Sequence, residues 1–175
     1  MRRAGAARGT GRRRGHPDRP RIGVADPEHP RRPPVEVGLV DALRGGDAWL
    51  PELSLVAVGP DATVDGHVVC TRARIGTAAV LALGPVGVRA DRQRRGVGSA
   101  LMHAVLGAAD ALDEPLVALL GHADYYPRFG FRPAQEYGIT PSVASWAPNF
   151  QVRLLTSYSP AIAGEFRYAQ PFDAL

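Results

Sequence analysis

The 175-residue chain has no lysine and a single cysteine, Cys70. One thiol forms no internal disulfide, which excludes a disulfide-built secreted domain and suits a reducing compartment. Cys70 lies in an apolar stretch with no second cysteine and no histidine cluster beside it. That argues against a thiolate metal site and against an activated cysteine nucleophile. The five histidines are scattered, so no metal is expected. Long apolar runs are missing too, and none approaches the roughly 18 residues of a membrane-spanning helix. No apolar segment follows the arginine-rich N-terminus, as a secretion signal requires. A cytoplasmic protein with no membrane partner is the expectation.

What is present is unevenly spread. Residues 1–34 hold ten arginines and three acids, a net of +7, while the rest holds eleven arginines and fourteen acids, a net of −3. The isoelectric point of about 9.8 therefore belongs to the arm. The arm is rich in Arg, Gly and Pro and buries too little surface to offset its ordering entropy. It reads as a disordered tail, with Arg21–Ala25 as a short strand candidate. Its arginines suit nonspecific phosphate contacts. It has no aromatic residue for stacking on bases, so nucleic acid is not the expected partner. Residues 35–175 read as one globular domain.

Within that domain, Val35, Leu39, Val40 and Leu43 recur at helical spacing, and Gly45-Gly46 ends the helix. Leu53–Val58, Gly66–Ile75 and Ala79–Val88 have the length and composition of strands, the last interrupted by Gly84-Pro85. Short turns between them predict antiparallel pairing. The period then changes: Leu101, Val105, Ala108 and Leu112 share a helical face, with Met102 and Leu106 beside it. The wholly apolar Leu116–Leu120 follows, as a strand covered on both faces does. Strand, helix and strand make a right-handed crossover. A helical turn near Asp124–Phe129 and strands at Gln151–Thr156 and Glu165–Tyr168 complete the pattern.

The most informative stretch runs from the third strand into that helix: Val86-Gly87-Val88, then Gln93-Arg94-Arg95-Gly96-Val97-Gly98-Ser99. A helix start leaves backbone N–H groups unpaired and partly positive. Gly96 and Gly98 keep side chains away from those amides, and Arg92, Arg94 and Arg95 add charge. Such a turn suits a pyrophosphate. It lacks the third glycine of a dinucleotide fold and the Gly-Lys-Ser/Thr of a P-loop. On the glycines alone, a plain strand-to-helix turn is equally consistent. Ser99 fits a helix cap or a phosphate contact.

Gln93-Arg94-Arg95-Gly96-Val97-Gly98 resembles the Gln/Arg-x-x-Gly-x-Gly/Ala signature of the GNAT superfamily of N-acetyltransferases. Leu83–Val88 is similar to that family's cofactor-binding strand, and Tyr126-Pro127-Arg128-Phe129-Gly130-Phe131 to its Tyr-x-x-x-Gly-Phe element. The resemblance covers about residues 35–172. It implies an α/β (α+β) fold with a mixed, mostly antiparallel twisted sheet flanked by helices on both faces. It also implies acetyl-CoA as co-substrate. Backbone groups of Val86, Gly87 and Val88 would pair with the pantetheine arm, and amides from Arg94 to Ser99 would hold the pyrophosphate. The sheet would splay between Val86–Val88 and Leu116–Leu120. The family opens with a strand and two helices that wall the acceptor site. Here the first helix has no counterpart, so that N-terminal region reads as incomplete.

Amine acetylation needs a neutral amine, a stabilised carbonyl oxygen and a protonated leaving thiolate. The resemblance puts Tyr126 at the position of the general acid, although Tyr125 and Tyr126 also suit simple packing. For a base, His122, His67 and Glu52 are candidates, each with a structural explanation that fits better. The implied acceptor is a primary amine of a small molecule or a protein, which attacks acetyl-CoA directly, and a homodimer is compatible with this arrangement. The alternatives are an acyl-CoA-binding domain without catalysis and a nucleic-acid-binding protein led by the basic arm.

Overall fold

The computed structural model describes residues 35–170 and 172, so the arm and the strand candidate at Arg21–Ala25 lie outside the described residues. The first helix, α1, spans Val35–Arg44. Leu39 and Leu43, one turn apart, are buried. The amides of Gly45 and Gly46 return to the carbonyls of Asp41 and Leu43, which closes the helix.

Strands β1 (Trp49–Val58), β2 (Val64–Ile75) and β3 (Ala78–Val88) form the expected antiparallel meander. β1 starts earlier than its apolar pattern predicts, because Trp49 pairs with Thr71 across an irregular register. Gly84-Pro85 does not break β3. Between the pairs Val68↔Val86 and Cys70↔Leu83, β3 carries one residue more than β2. That is a β-bulge, which bends the strand and increases its twist.

Helix α2 (Val97–Ala111) crosses to β4 (Leu116–Leu120), which lies parallel to β3. The chain then adds β5 (Arg132–Pro133), β6 (Ile139–Pro141), β7 (Phe150–Leu154) and β8 (Gly164–Arg167). The sheet order is β5-β7-β4-β3-β2-β8-β6, with β1 also on β2. Only the β3–β4 and β6–β8 pairs are parallel, so the sheet is mixed and mostly antiparallel.

Alternation along the strands sorts two cores. Val68, Cys70, Leu81, Leu83, Val117 and Leu119 face α2, meeting Leu101, Met102, Val105, Leu106 and Ala109. Of the predicted face, Leu101 and Val105 are buried with Met102 and Leu106 beside them, while Ala108 is half-buried and Leu112 falls just past the helix end and is half exposed. On the other face Ile75, Val80, Leu116, Phe150 and Phe166 pack with Ala134 and Tyr137 of a short 3-10 helix. Helical segments therefore lie on both faces. Phe131, Phe150 and Phe166 are fully buried, each contributing about 1.5–3 kcal/mol of transfer free energy.

Candidate active site

The two parallel strands at the centre part early. β3 and β4 pair only at Leu81↔Val117 and Ala82↔Ala118. Beyond that point β4 stays with β7 as far as Leu120↔Phe150, and β3 stays with β2 as far as Val88↔Gly66. The bulge at Gly84-Pro85 lies where they diverge. A slot opens between them, and among the described residues the edge of Val86, Gly87 and Val88 that faces β4 has no strand partner.

At the end of this edge the backbone turns through residues 89–96. Gln93 Nε2 donates to the Val88 carbonyl at 3.1 Å, pinning the signature to the strand. Arg94 (φ 59°) and Gly96 (φ 88°) both adopt left-handed backbone on either side of Arg95. Left-handed residues at such a turn are a conformation from which anion nests are built. Gly96 is needed for its φ, since a Cβ there would meet nothing within 4 Å. It is also the N-cap of α2, with no side-chain cap, and the first helical return is Ala100 N–H to the Gly96 carbonyl at 2.9 Å. The amides of Val97, Gly98 and Ser99 are therefore left for a ligand or water. Ser99 is half-buried and supplies no cap.

The basic residues divide into two kinds. Arg92 Nε lies 3.2 Å from the buried Asp65 carboxylate, with Arg89, Asp61 and Asp91 close by. Arg92 thus braces the turn against the β1–β2 hairpin, which corrects the expectation that it adds free charge beside a phosphate. Arg94 and Arg95 are exposed and keep that role open.

Tyr126 opens a 3-10 turn, Tyr126–Phe129, one short loop after β4. Its ring lies against Gly121, where a Cβ would stand 2.2 Å from Cε2. Edge contacts to Tyr125 at 5.1 Å and Phe131 at 5.9 Å fix it further. Burial, reinforced by Tyr125, pushes the Tyr126 phenol above its ordinary value. The phenol therefore stays protonated at neutral pH, as a proton donor must.

Tyr125 packs toward the start of α2. Its hydroxyl lies 3.7 Å from where a Cβ on Gly98 would be, over the first turn of α2. Arg128 stacks on its ring at 4.5 Å and donates to its carbonyl at 2.9 Å. Sequence reasoning missed this pair, and the only signal available was the doubled tyrosine. The other candidates are dispersed. The His122 side chain is exposed, and its carbonyl accepts from the Tyr125 amide at 3.0 Å. Glu52 is exposed on β1. Cys70 is fully buried, and burial raises its thiol far above the ordinary range, so it offers no nucleophile. His67 is half-buried and opposite Gly87. No group of three or more metal-ligating side chains occurs among the described residues, and no helix among them is long and apolar enough to cross a membrane.

No known family model matches the chain. The uncharacterized N-acetyltransferase YjhQ of Escherichia coli (strain K12) is 31% identical over 144 residues, covering 78% of this chain and 79% of its own. A GNAT family acetyltransferase from Brucella melitensis, solved in complex with acetyl-CoA, is 32% identical with a TM-score of 0.63, over 79% of this chain and 78% of that one. The GNAT family N-acetyltransferase YhbS from Escherichia coli, solved with CoA, has a TM-score of 0.74 over 79% of this chain and 77% of that one, and at 23% identity it speaks for the fold alone. With a splayed parallel pair, a left-handed glycine turn at an uncapped helix start and these relatives, the chain belongs to the GNAT superfamily of N-acetyltransferases.

Proposed function

We propose that the chain transfers the acetyl group of acetyl-CoA to a primary amine, of a small molecule or a protein, by direct attack. The observation that carries this is the continuity of the slot with the nest. The unpartnered edge Val86–Val88 leads, through the Gln93–Val88 hydrogen bond, straight into the amides of residues 94–99. An extended arm ending in a pyrophosphate fits such a surface. The arm adds to the strand edge, and the phosphates meet the nest and helix start.

Acetyl-CoA, when bound, supplies the activated acetyl group. The chain's own residues do the rest. Backbone groups of Val86, Gly87 and Val88 align the arm, and an N–H on that edge stabilises charge on the carbonyl oxygen. Gln93 holds the strand end in register with the turn. Amides from Arg94, Arg95, Gly96, Val97, Gly98 and Ser99 neutralise the pyrophosphate. Tyr126 gives a proton to the departing sulfur, and its raised pKa keeps that proton available.

The test is a calorimetric titration with acetyl-CoA, followed by a thiol-release screen over small amines and peptide amines. Binding with turnover on at least one amine supports the assignment. Binding without turnover across a broad panel supports a non-catalytic acyl-CoA-binding domain instead.

A further inference from the structure

β7 turns Phe150, Val152 and Leu154 toward the core opposite α2. Gln151 and Arg153 therefore point to the α2 side. Their ladder partners there, Leu119 and Val117, belong to the apolar core under the helix. Gln151 is only 3% exposed among them. A buried amide costs free energy unless its hydrogens are accepted. Gln151 Nε2 donates to the Gly121 carbonyl at 3.3 Å and to the His122 carbonyl at 3.5 Å. From the same side of β7, Arg153 Nη1 donates to the Phe129 carbonyl.

These carbonyls bracket Tyr126. The β4–β7 ladder ends at Leu120↔Phe150, so Gly121 lies just beyond the pairing of the sheet. Its amide returns to the Asn149 carbonyl at 2.9 Å, and its carbonyl is held by Gln151. The Tyr126 ring lies on that glycine. A Cβ built on Gly121 would stand 2.2 Å from Cε2, 2.8 Å from Cδ2 and 3.1 Å from Cζ. The peptide group that Gln151 holds is thus the floor under the phenol. The His122 carbonyl also accepts from the Tyr125 amide at 3.0 Å, so the same side chain steadies the turn that brings in the ring. An amide does this without charge, whereas a cation in its place would favour the phenolate.

We infer that Gln151 is a positioning residue for acetyl transfer, seating the Tyr126 phenol at the slot through the Gly121 and His122 carbonyls. The inference rests on the reading of Tyr126 as proton donor to the departing sulfur. Gln151 acts through these carbonyls and not on the reacting atoms. Arg153 fastens the far end of the turn at Phe129.

The test is a double-mutant cycle in the full chain: wild type, Gln151→Met, Tyr126→Phe and the two together. Methionine keeps the length of the side chain and removes the donor. Gln151→Glu, which at neutral pH turns only acceptors toward the carbonyls, is a second variant with the same outcomes expected. Acetyl-CoA binding is measured by calorimetry, and turnover with phenethylamine and a short lysine peptide. The Tyr126 ring is followed by NMR with carbon-labelled tyrosine, its signal assigned by its loss in Tyr126→Phe.

In Gln151→Met, acetyl-CoA affinity and KM should stay within about twofold, kcat should fall about 30-fold, and the Tyr126 signal should shift or broaden. With phenylalanine at 126, the same substitution should lower kcat less than about threefold. An equal fall in both backgrounds overturns the positioning role, and so does an unmoved Tyr126 signal. Loss of acetyl-CoA binding or of cooperative unfolding in both Gln151 variants assigns the amide to holding the fold and overturns it as well. Unchanged kcat in Tyr126→Phe overturns the proton-donor reading, which that single variant reports by itself, and the Gln151 role falls with it. A wild type that binds acetyl-CoA but acetylates neither probe overturns the transferase reading for such amines together with the Gln151 role.

Discussion

Gly121 and Tyr126 are mutually dependent: the ring lies so close that a methyl group on Gly121 would overlap its Cε2 at 2.2 Å. Gly121 is the first residue after β4, so the contact ties the phenol to the mouth of the slot. Tyr126→Phe keeps the ring and removes the proton, and kcat should fall about 100-fold with acetyl-CoA affinity unchanged. Gly121→Ala keeps the proton and displaces the ring, and kcat should fall by a similar factor. Steady-state kinetics with calorimetry checks both. Unchanged kcat in Tyr126→Phe at every pH removes the phenol from the chemistry.

The same burial makes a pH prediction. Tyr126 titrates above its ordinary value of 10.0, first because of burial and second because of Tyr125. A group whose folded pKa is raised contributes stability that is complete below its unfolded pKa and is lost as pH rises through the folded pKa. Activity that depends on the protonated phenol should therefore show no loss from this group until pH exceeds about 10. Thermal unfolding of Tyr126→Phe should show a smaller alkaline loss above that pH than wild type, the remainder coming from Tyr168 and Cys70, which burial also raises. An alkaline fall in kcat centred well below 10 would point to another acid.

Arg92 and Arg95 should separate stability from binding. Arg92 faces the carboxylate of Asp65, which is nearly buried. Arg92→Ala should destabilise the fold by about 1–3 kcal/mol, because it leaves that carboxylate without its nearest cation. Arg95→Ala should leave unfolding within about 0.5 kcal/mol of wild type. It should weaken acetyl-CoA binding and flatten its salt dependence. Chemical denaturation and calorimetry at two salt concentrations decide between these, and the opposite pattern would reverse the two roles.

Arg72 and Glu114 form a two-pronged ion pair at 2.6 and 2.7 Å that links β2 to the turn leading into β4. Glu114 is almost buried, so Glu114→Ala should cost about 2–4 kcal/mol by leaving the guanidinium half-desolvated. Arg72→Leu with Glu114→Leu should recover part of that loss. A single variant as stable as wild type would show the pair to be solvated.

Much of the fold was legible because strands β2, β3 and β4 and helix α2 carry their cores as simple periods. The glycine signature was legible because a left-handed turn at an uncapped helix is a local requirement. Other features had no local signal. The start of β1 carries Pro51 and Glu52, and only pairing with β2 makes it a strand. β5 and β6 are too short to show a period. The role of Arg92 depends on Asp65, and that of Tyr125 on Gly98, contacts set by the tertiary fold. Gly87 reads as one more glycine until His67 is seen above it.

The central claim is that residues 94–99 cradle the phosphates of acetyl-CoA. Gly96 holds φ 88° with open space around it, so Gly96→Ala strains the turn without a clash. Calorimetric titration of the full chain with acetyl-CoA should show saturable binding in wild type. In Gly96→Ala that binding should weaken about tenfold or more, in line with a strain of about 1–3 kcal/mol. No binding by wild type at low salt, or equal affinity in the variant, would contradict the account.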